Sequence, residues 1–234
     1  DGDIDAKGDE CDPCPAQANP DSVCSIEADD ATIYDIQTGT VAEGSYVRIS
    51  GAVVTSVSGS GFNAQDPDLV SDPAYSGIYV YTSSDPGVAR GDVVDVEGEV
   101  GEYYDWTQLQ GDTVTVVTSA GTGDCDEEGS DPVISPTLLT VEEAVSEAYE
   151  GVLVTLVDAV VTDAAYDCSV DGSSCADEDL WEVGGSDGIL VYSHAYECDG
   201  WTDEVGSLPI TGVMMYRWER RRILPRTAFD FGTE

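Results

Sequence analysis

The chain has 234 residues, of which 48 are Asp or Glu and 8 are Lys or Arg, so its formal net charge at pH 7 is −40. A surface of this charge repels nucleic-acid phosphates and anionic membranes at long range, and it disfavours both as partners. No apolar run reaches the roughly 18 residues that a transmembrane helix needs, so we expect no membrane span.

Residues 1–27 form an acidic arm whose carboxylates recur at short intervals. It opens with DGDIDAKGDECDPCP. Because Ca²⁺ takes about six to eight oxygen ligands and tolerates irregular geometry, carboxylates at alternate positions can converge on one ion. A solvated, disordered acidic tail is the alternative interpretation. The predicted calcium ligands are Asp1, Asp3, Asp5, Asp9 and Asp12, with the main-chain carbonyl of Lys7 as a further donor.

This arm resembles a thrombospondin type 3 repeat. It follows the pattern DxDxDGxGDxCDxCP except that Ala6 replaces a glycine, and Asn19-Pro20-Asp21 matches the NPD that follows in that family. The resemblance covers about residues 1–24 and implies bound Ca²⁺, an extracellular setting and disulfides that link successive repeats. It also implies that Cys11, whose counterpart reaches a preceding repeat, bonds another chain.

The rest of the chain contains the same stretch twice. EGSYVRISGAVVT begins at Glu43 and EGVLVTLVDAVVT begins at Glu150. Further matches lie downstream at a growing offset, which places the insertions in loops between strands. We therefore predict a duplicated domain. The downstream matches are GIYVY at Gly77 with GILVY at Gly188, and VEGEV at Val96 with ITGVM at Ile210.

The predicted organisation is a first domain at 28–121, a linker at 122–136 rich in Gly, Asp, Glu and Ser, and a second domain at 137–234. Alternating apolar and polar residues indicate strands in both copies, and TVEEAVSEAY at Thr140 indicates a short helix. Five strands in about 90 residues predict a mostly β fold of two tandem OB-like five-stranded barrels. In the first copy the strands are expected after Glu43 and at 62–65, 78–81, 93–100 and 108–118.

The phrases GFNAQDP, GIYVY and GDVVDVEGEVGEYYDWTQL resemble the OB-fold modules that accompany secreted bacterial endonucleases and phosphodiesterases. The resemblance is clearest over residues 43–110. In that family the module accompanies a separate catalytic domain, so the resemblance implies the fold and little about function.

An aromatic cluster in the first copy is a candidate binding surface. Aromatic faces on an OB sheet can stack on bases or sugars, whereas in the alternative interpretation the rings pack on the barrel or on a neighbouring domain. No Lys or Arg is near in sequence. The cluster comprises Tyr103, Tyr104 and Trp106.

Six of the seven cysteines lie in loop-like contexts that are acidic or rich in Gly or Pro, which indicates an oxidising, extracellular compartment. Their connectivity stays open, because six cysteines alone allow about fifteen pairings. We expect a local bridge between Cys168 and Cys175, with Cys14–Cys24 and Cys125–Cys198 as the other candidate pairs.

Five of the eight basic residues are concentrated near the end of the chain. One interpretation is a contact with nucleic acid or another polyanion, and another is a partner for acidic surface within or between chains. An exposed hairpin of alternating charge is the third. The residues are Arg217, Arg220, Arg221, Arg222 and Arg226.

No nucleophile elbow, phosphate-binding loop or Cys-His pair is recognisable, and the single His194 is expected at the surface or at the barrel rim, so we expect no enzyme. The leading hypothesis is a secreted or cell-surface calcium-binding structural protein that assembles head to tail with itself as a filament or matrix subunit. The alternative is a nucleic-acid or glycan-binding OB module accessory to a secreted nuclease, and a calcium-dependent hydrolase ranks last.

Overall fold

The computed structural model describes residues 28–69, 72–120, 134–163, 166, 180–184, 188–192, 209–217 and 219–232. The protein is mostly β, with two sheets and two short helices in this part of the chain. No helix among these residues has the length and apolar character needed to cross a membrane.

Apart from a two-residue strand at Asp29–Asp30, the first sheet follows a short helix and has its strands where the alternating pattern predicts them. Strand β2 (Tyr46–Ser58) is bent, so that its first half pairs with β5 (Val93–Glu102) and its second half pairs with β3 (Gly61–Gln65). Gly51 lies at a register shift in β2 with φ of 72°, and its N–H donates to Asp95 Oδ1 at 2.9 Å. The elements are β1 (Asp29–Asp30), α1 (Ile33–Gln37), β2 (Tyr46–Ser58), β3 (Gly61–Gln65), β4 (Gly77–Tyr81), β5 (Val93–Glu102) and β6 (Thr107–Thr118).

The pairings of the first sheet form a closed ring. Strand β2 pairs with β3, β3 with β4, β4 with β6 in parallel, β6 with β5, and β5 again with β2. One face of each strand fills a core that includes Ile49, Phe62, Val96 and Leu109, all at most 2% exposed. Closure leaves the opposite face of β3 and β4 available to contact other parts of the chain.

The second sheet repeats this order of pairings. Strand β8 pairs with β12, β12 with β13, β13 with β11 in parallel, β11 with β10, and β10 with β9. Strands β8 and β9 thus occupy the places of the two halves of β2. The elements are β7 (Thr137–Leu139), α2 (Val141–Ala144), β8 (Leu153–Leu156), β9 (Val161–Asp163), β10 (Leu180–Val183), β11 (Ile189–Tyr192), β12 (Ile210–Arg217) and β13 (Arg220–Leu224).

The duplicated Glu-Gly pair has the same local geometry in both copies. Gly44 and Gly151 have φ of 83° and 74°, in the left-handed region that favours glycine. The Gly44 N–H donates to the Val100 carbonyl and the Gly151 N–H donates to the Met214 carbonyl, each at 2.8 Å. Val100 and Met214 end the repeated segments VEGEV and ITGVM, so the sequence match and the backbone hydrogen bonds agree.

The two sheets contact each other directly. Their shared apolar contacts include Val53 and Val93 from the first sheet with Leu153 and Val213 from the second. Backbone meets backbone at Gly151, because an added Cβ there would lie 2.6 Å from the Gly77 carbonyl carbon. The Leu153 N–H also donates to Gln65 Oε1 of β3 at 3.0 Å. These contacts fix how the faces around the candidate site meet.

Candidate functional site

A cavity of about 550 Å³ lies between the face of the first sheet that points away from its core and strands β12 and β13 of the second sheet. In GIYVY, Ile78 and Val80 point into the core of the first sheet, so Tyr79 and Tyr81 of the same strand face the cavity. The turn between β2 and β3 and the turn between β5 and β6 form its two ends. The chain therefore builds a concave site where the two sheets meet.

One wall of the cavity is a stacked aromatic pair. The rings of Tyr79 and Trp106 have centroids 4.2 Å apart and an interplanar angle of 28°. Both are at least nine-tenths buried, and they belong to an apolar cluster with Met215 and Leu224 of the second sheet. Gly61 of β3 permits this packing, because a Cβ at that position would overlap the Tyr79 hydroxyl. The wall is thus held in place by both sheets.

Polar side chains surround the aromatic wall. Gln108 is buried and Gln110 is exposed, so the two amides present donors and acceptors at different depths. Asn63 is 1% exposed, and its amide NH₂ donates to Ser56 Oγ at 2.9 Å. The polar residues of the lining are Ser58, Ser60, Asn63, Gln108, Gln110 and Arg217.

Two buried polar atoms of the lining residues have no hydrogen-bond partner within the described part of the chain: Asn63 Oδ1, an acceptor, and Trp106 Nε1, a donor. A buried polar atom without a partner costs about 1–3 kcal/mol, and native structures contain few of them. Both atoms belong to residues that line the cavity.

Arg217 and Tyr79 are close to each other across the cavity. Burial raises the pKa of the Tyr79 phenol, while a hydrogen bond with Ser58 and the positive charge of Arg217 oppose that rise. The phenol therefore stays protonated at neutral pH. An Arg217 Nη1 atom also lies 3.4 Å from the Tyr192 hydroxyl. The guanidinium thus contacts a tyrosine of its own sheet at the cavity.

The predicted aromatic cluster divides at the tight turn between β5 and β6. Trp106 is in the cavity wall, and Tyr103, which is 53% exposed, lies at its rim. Tyr104 is 73% exposed, lies outside the lining and contacts Tyr103 edge to face. Tyr104 and Asp105 have positive φ, which reverses the chain so that Trp106 returns to the sheet.

The prediction from sequence missed Tyr79, Tyr81, Asn63 and the two glutamines. The period-two alternation in GIYVY contained the signal for the tyrosines, because it puts Ile78 and Val80 on one face and both tyrosines on the other. No comparable signal identifies Asn63, whose neighbours in GFNAQ are all buried.

The five arginines are placed in different surroundings, and all of them contact groups of their own chain. Arg220 pairs with Glu182 at 2.8 Å, Arg221 with Glu150 at 2.7 Å, and Arg226 with Asp230 at 3.0 Å. Arg222 is 1% exposed and lies over the Tyr192 ring at 5.1 Å. Of the five, Arg217 lines the cavity. Because side chains alternate between the two faces of a strand, consecutive arginines of β13 lie on opposite faces of the sheet.

Glu150 is a buried carboxylate that joins the two sheets behind the cavity. It is 2% exposed, accepts from the Thr107 N–H of β6 at 3.0 Å, and pairs with Arg221 of β13. Burial raises the pKa of Glu150 to about 7, although Arg221 and the Thr107 N–H favour its charged form. Thr107 directly follows Trp106, so this contact anchors the strand that carries the aromatic wall.

Several predicted sites lie outside the described residues. These are the calcium ligands Asp1, Asp3, Asp5, Lys7, Asp9 and Asp12, the cysteines Cys11, Cys14, Cys24, Cys125, Cys168, Cys175 and Cys198, and His194. Their roles stay predictions. Within the described ranges, no group of three or more His, Cys, Asp or Glu residues is placed to hold a metal ion.

Comparison with known proteins gives little further information. No family model matches the chain, and no curated protein matches it. Four chains of solved structures match, among them the hypothetical protein ygiW from E. coli. That match has a TM-score of 0.29 and 17% identity, and it covers 40% of this chain and 94% of that one. A TM-score of this size is too low to establish a shared fold.

Proposed function

We propose that this protein is a non-catalytic binding module that takes a glycan in the cavity between its two sheets. The observation that carries the proposal is the aromatic lining, in which the exposed rings of Tyr81 and Tyr103 continue the stacked Tyr79–Trp106 wall beside the amides of Gln108 and Gln110. A sugar ring matches both the aromatic and the polar groups of the lining, because its C–H face packs on an aromatic ring and its hydroxyls both donate and accept hydrogen bonds.

A glycan fits this site better than a nucleic acid. Affinity for nucleic acid comes largely from neutralised phosphates, and a chain of net charge −40 opposes that contribution. The described lining contains one cationic side chain, Arg217, among amides and hydroxyls. Amides and hydroxyls suit the hydroxyl-rich edge of a sugar, and the exposed rings of Tyr81 and Tyr103 extend the apolar surface toward solvent.

In this proposal the two sheets are tandem OB-like five-stranded barrels. The closed ring of β2, β3, β4, β6 and β5 supports the assignment, as does the recurrence of the same order in the second sheet. OB folds bind oligosaccharides and oligonucleotides on the face of their second and third strands, between two end loops. The cavity has the corresponding position on β3 and β4 of the first sheet.

The calcium-binding arm and self-assembly form a second, separate proposal. It depends on the carboxylate spacing and cysteines of residues 1–27, and it adds an extracellular, head-to-tail assembled setting for the binding module. Light scattering with and without a calcium chelator and a reductant tests it. A stable monomer under every condition would contradict it.

Calorimetric titration of hits from a glycan array tests the binding proposal. Tyr81→Ala removes a rim ring that is 41% exposed, and Trp106→Ala removes the wall. Because stacking contacts contribute about 1–3 kcal/mol, we expect affinity to fall about tenfold for the rim variant and further for the wall variant. Tyr104→Asn is the matched control, since Tyr104 lies outside the lining and Asn tolerates its positive φ.

The control should bind like the wild type. Circular dichroism and a thermal melt establish that Trp106→Ala is folded, and Tyr81→Ala keeps the test informative if it is not. Absence of binding to every glycan, or equal affinity of Tyr81→Ala and Tyr104→Asn, would contradict the proposal.

A further inference from the structure

We infer that the cavity binds an internal segment of a linear glycan chain, which lies along strands β4 and β6 and stacks on an aromatic ring at each rim. The inference rests on the proposed function and adds the form of the ligand: a chain that passes through the cavity, not a single sugar or a chain end. Its support comes from the spacing, the length and the exposure of the aromatic row along these two strands.

A ring and an amide recur side by side in the lining. In the parallel pairing of β4 with β6, Tyr79 lies opposite Gln108 and Tyr81 lies opposite Gln110. Leu109, between the two glutamines, is buried in the core of the first sheet, so both amides lie on the cavity face with the two rings. Successive pairs are about 6.7 Å apart along the strands. A ring with an amide beside it, repeated at a fixed spacing, suits a ligand that itself repeats an apolar face and a hydroxyl edge.

The aromatic row is longer than one sugar. Tyr103 and Trp106 exchange backbone hydrogen bonds of 3.0 and 3.2 Å at the turn before β6, so Tyr103 marks one end of the cavity. Tyr81, opposite Gln110, marks the other end. The backbone from Trp106 to Gln110 covers roughly 13 Å when extended. A single sugar ring is comparable in size to one aromatic ring and covers only part of this row, whereas a chain of several sugars contacts all of it.

The row is buried in its middle and exposed at both ends. The stacked rings of Tyr79 and Trp106 are 9% and 7% exposed, and they pack with Met215 of the second sheet. The rings of Tyr81 and Tyr103 are 41% and 53% exposed. A chain bound at the stacked pair can therefore stack on a further ring at either rim and continue into solvent on both sides.

The test measures how affinity depends on chain length. The best glycan from the array is prepared as a series from monosaccharide to hexasaccharide, and each member is titrated calorimetrically against the wild type. We expect affinity to rise with each added sugar until the chain spans the roughly 13 Å between the rims, and then to level off. The hexasaccharide should bind about a hundredfold more tightly than the monosaccharide, since each of the two rim rings contributes about tenfold.

Variants at the two rims separate binding along the row from a structural role of the rings. Tyr81→Ala and Tyr103→Ala should each lower the ratio of hexasaccharide to monosaccharide affinity about tenfold, and the double variant about a hundredfold, because rings at separate ends act independently. A structural role would weaken every member of the series equally and leave the ratio unchanged. Tyr104→Asn, next to Tyr103 but outside the lining, is the matched control and should keep the wild-type ratio.

A bulky label distinguishes a chain that passes through the cavity from a chain that ends in it. The hexasaccharide carries a fluorophore at its reducing end in one sample and at its non-reducing end in another. Both labelled forms should bind like the unlabelled hexasaccharide, because both chain ends then lie outside the cavity. A site for a chain end would reject one of the two forms.

The failures are distinguishable. If the monosaccharide binds as tightly as the hexasaccharide, if the rim variants keep the wild-type ratio, or if a label at one end abolishes binding, the inference is wrong and the glycan-binding function stands. If no glycan of any length binds the wild type, the proposed function fails and the inference fails with it. If a single-stranded DNA oligonucleotide binds more tightly than every glycan, the ligand is a nucleic acid and both are wrong.

Discussion

At the scale of the residue, the cavity depends on Gly61, which leaves space for the ring of Tyr79. Gly61 has a φ outside the left-handed region, so its role is to leave space and not to adopt an unusual conformation. The Tyr79 hydroxyl and ring, together with the Val80 carbonyl oxygen, occupy the position that a Cβ would take. The stacked pair therefore requires glycine at position 61 of the neighbouring strand, because a side chain there would occupy the space of the Tyr79 ring.

We predict that Gly61→Ala destabilises the protein by about 2 kcal/mol and weakens glycan binding about tenfold, because the added methyl group displaces Tyr79 from Trp106. Gly87→Ala, outside the cavity lining, is the matched control. Gly87 has φ of 65° and open space around its Cβ position, so the substitution costs only backbone strain of about 1 kcal/mol. Chemical denaturation and calorimetry measure the two effects, and equal binding losses in both variants would contradict the prediction.

At the scale of the element, the duplicated Glu-Gly turn gives an internal comparison. Gly44 and Gly151 share the left-handed conformation and the hydrogen bond to the equivalent strand. Their surroundings differ, because a Cβ on Gly44 meets nothing within 4 Å, whereas a Cβ on Gly151 meets the backbone of Gly77 and Ile78. The same motif is thus a solvent-exposed turn in one copy and a contact between sheets in the other.

Gly44→Ala should therefore cost about 1 kcal/mol from strain alone, and Gly151→Ala should cost about 3 kcal/mol because it also separates the two sheets. Gly77→Ala, on the opposite side of the same contact, should resemble Gly151→Ala. Urea denaturation of the three variants gives the comparison. Equal losses for Gly44→Ala and Gly151→Ala would show that the close approach does not contribute to stability.

The strands could be predicted because the pattern of apolar and polar residues within each short segment is enough to identify them. The alternation after Glu43 and in GIYVY, and the turn residues between them, place β2 to β6 within a few residues of their observed bounds. In the second copy the same stretch gives two strands, β8 and β9, where the sequence match alone indicated one. The predicted helix from Thr140 is a single turn that ends at Ala144, followed by a 3₁₀ turn at Glu147–Tyr149.

The site was predictable only in part, because it forms where two distant segments meet. Trp106 and Tyr103 were identified from aromatic clustering, and Arg217 from charge, yet nothing in the sequence says that they line one cavity. That depends on how the second sheet packs on the first. Glu150 illustrates the difficulty, since the sequence marks it as the counterpart of Glu43, which is exposed, whereas Glu150 itself is buried.

At the scale of the whole molecule, this buried carboxylate links the docking of the two sheets to pH. Glu150 is buried between the Thr107 N–H and Arg221, and Glu147 lies near enough to raise its pKa further. Its folded pKa, about 7, is above the value of 4.5 for an exposed glutamate. The folded protein therefore binds more protons than the unfolded chain between these two values, and folding stability falls as pH rises through that window.

We predict that Glu150→Gln removes this dependence. Relative to the variant, the wild type should lose on the order of 3 kcal/mol as pH rises from about 4.5 to about 7, and the difference should then level off. Glu143→Gln is a control of opposite sign, because hydrogen bonds from Thr140 lower the pKa of Glu143. Its carboxylate stabilises the fold at neutral pH, and that contribution disappears as pH falls below about 4.5.

Urea denaturation across pH at high salt, which screens the remaining acidic surface, measures both differences. Parallel curves for the wild type and Glu150→Gln would mean that Glu150 does not couple the contact between the sheets to pH.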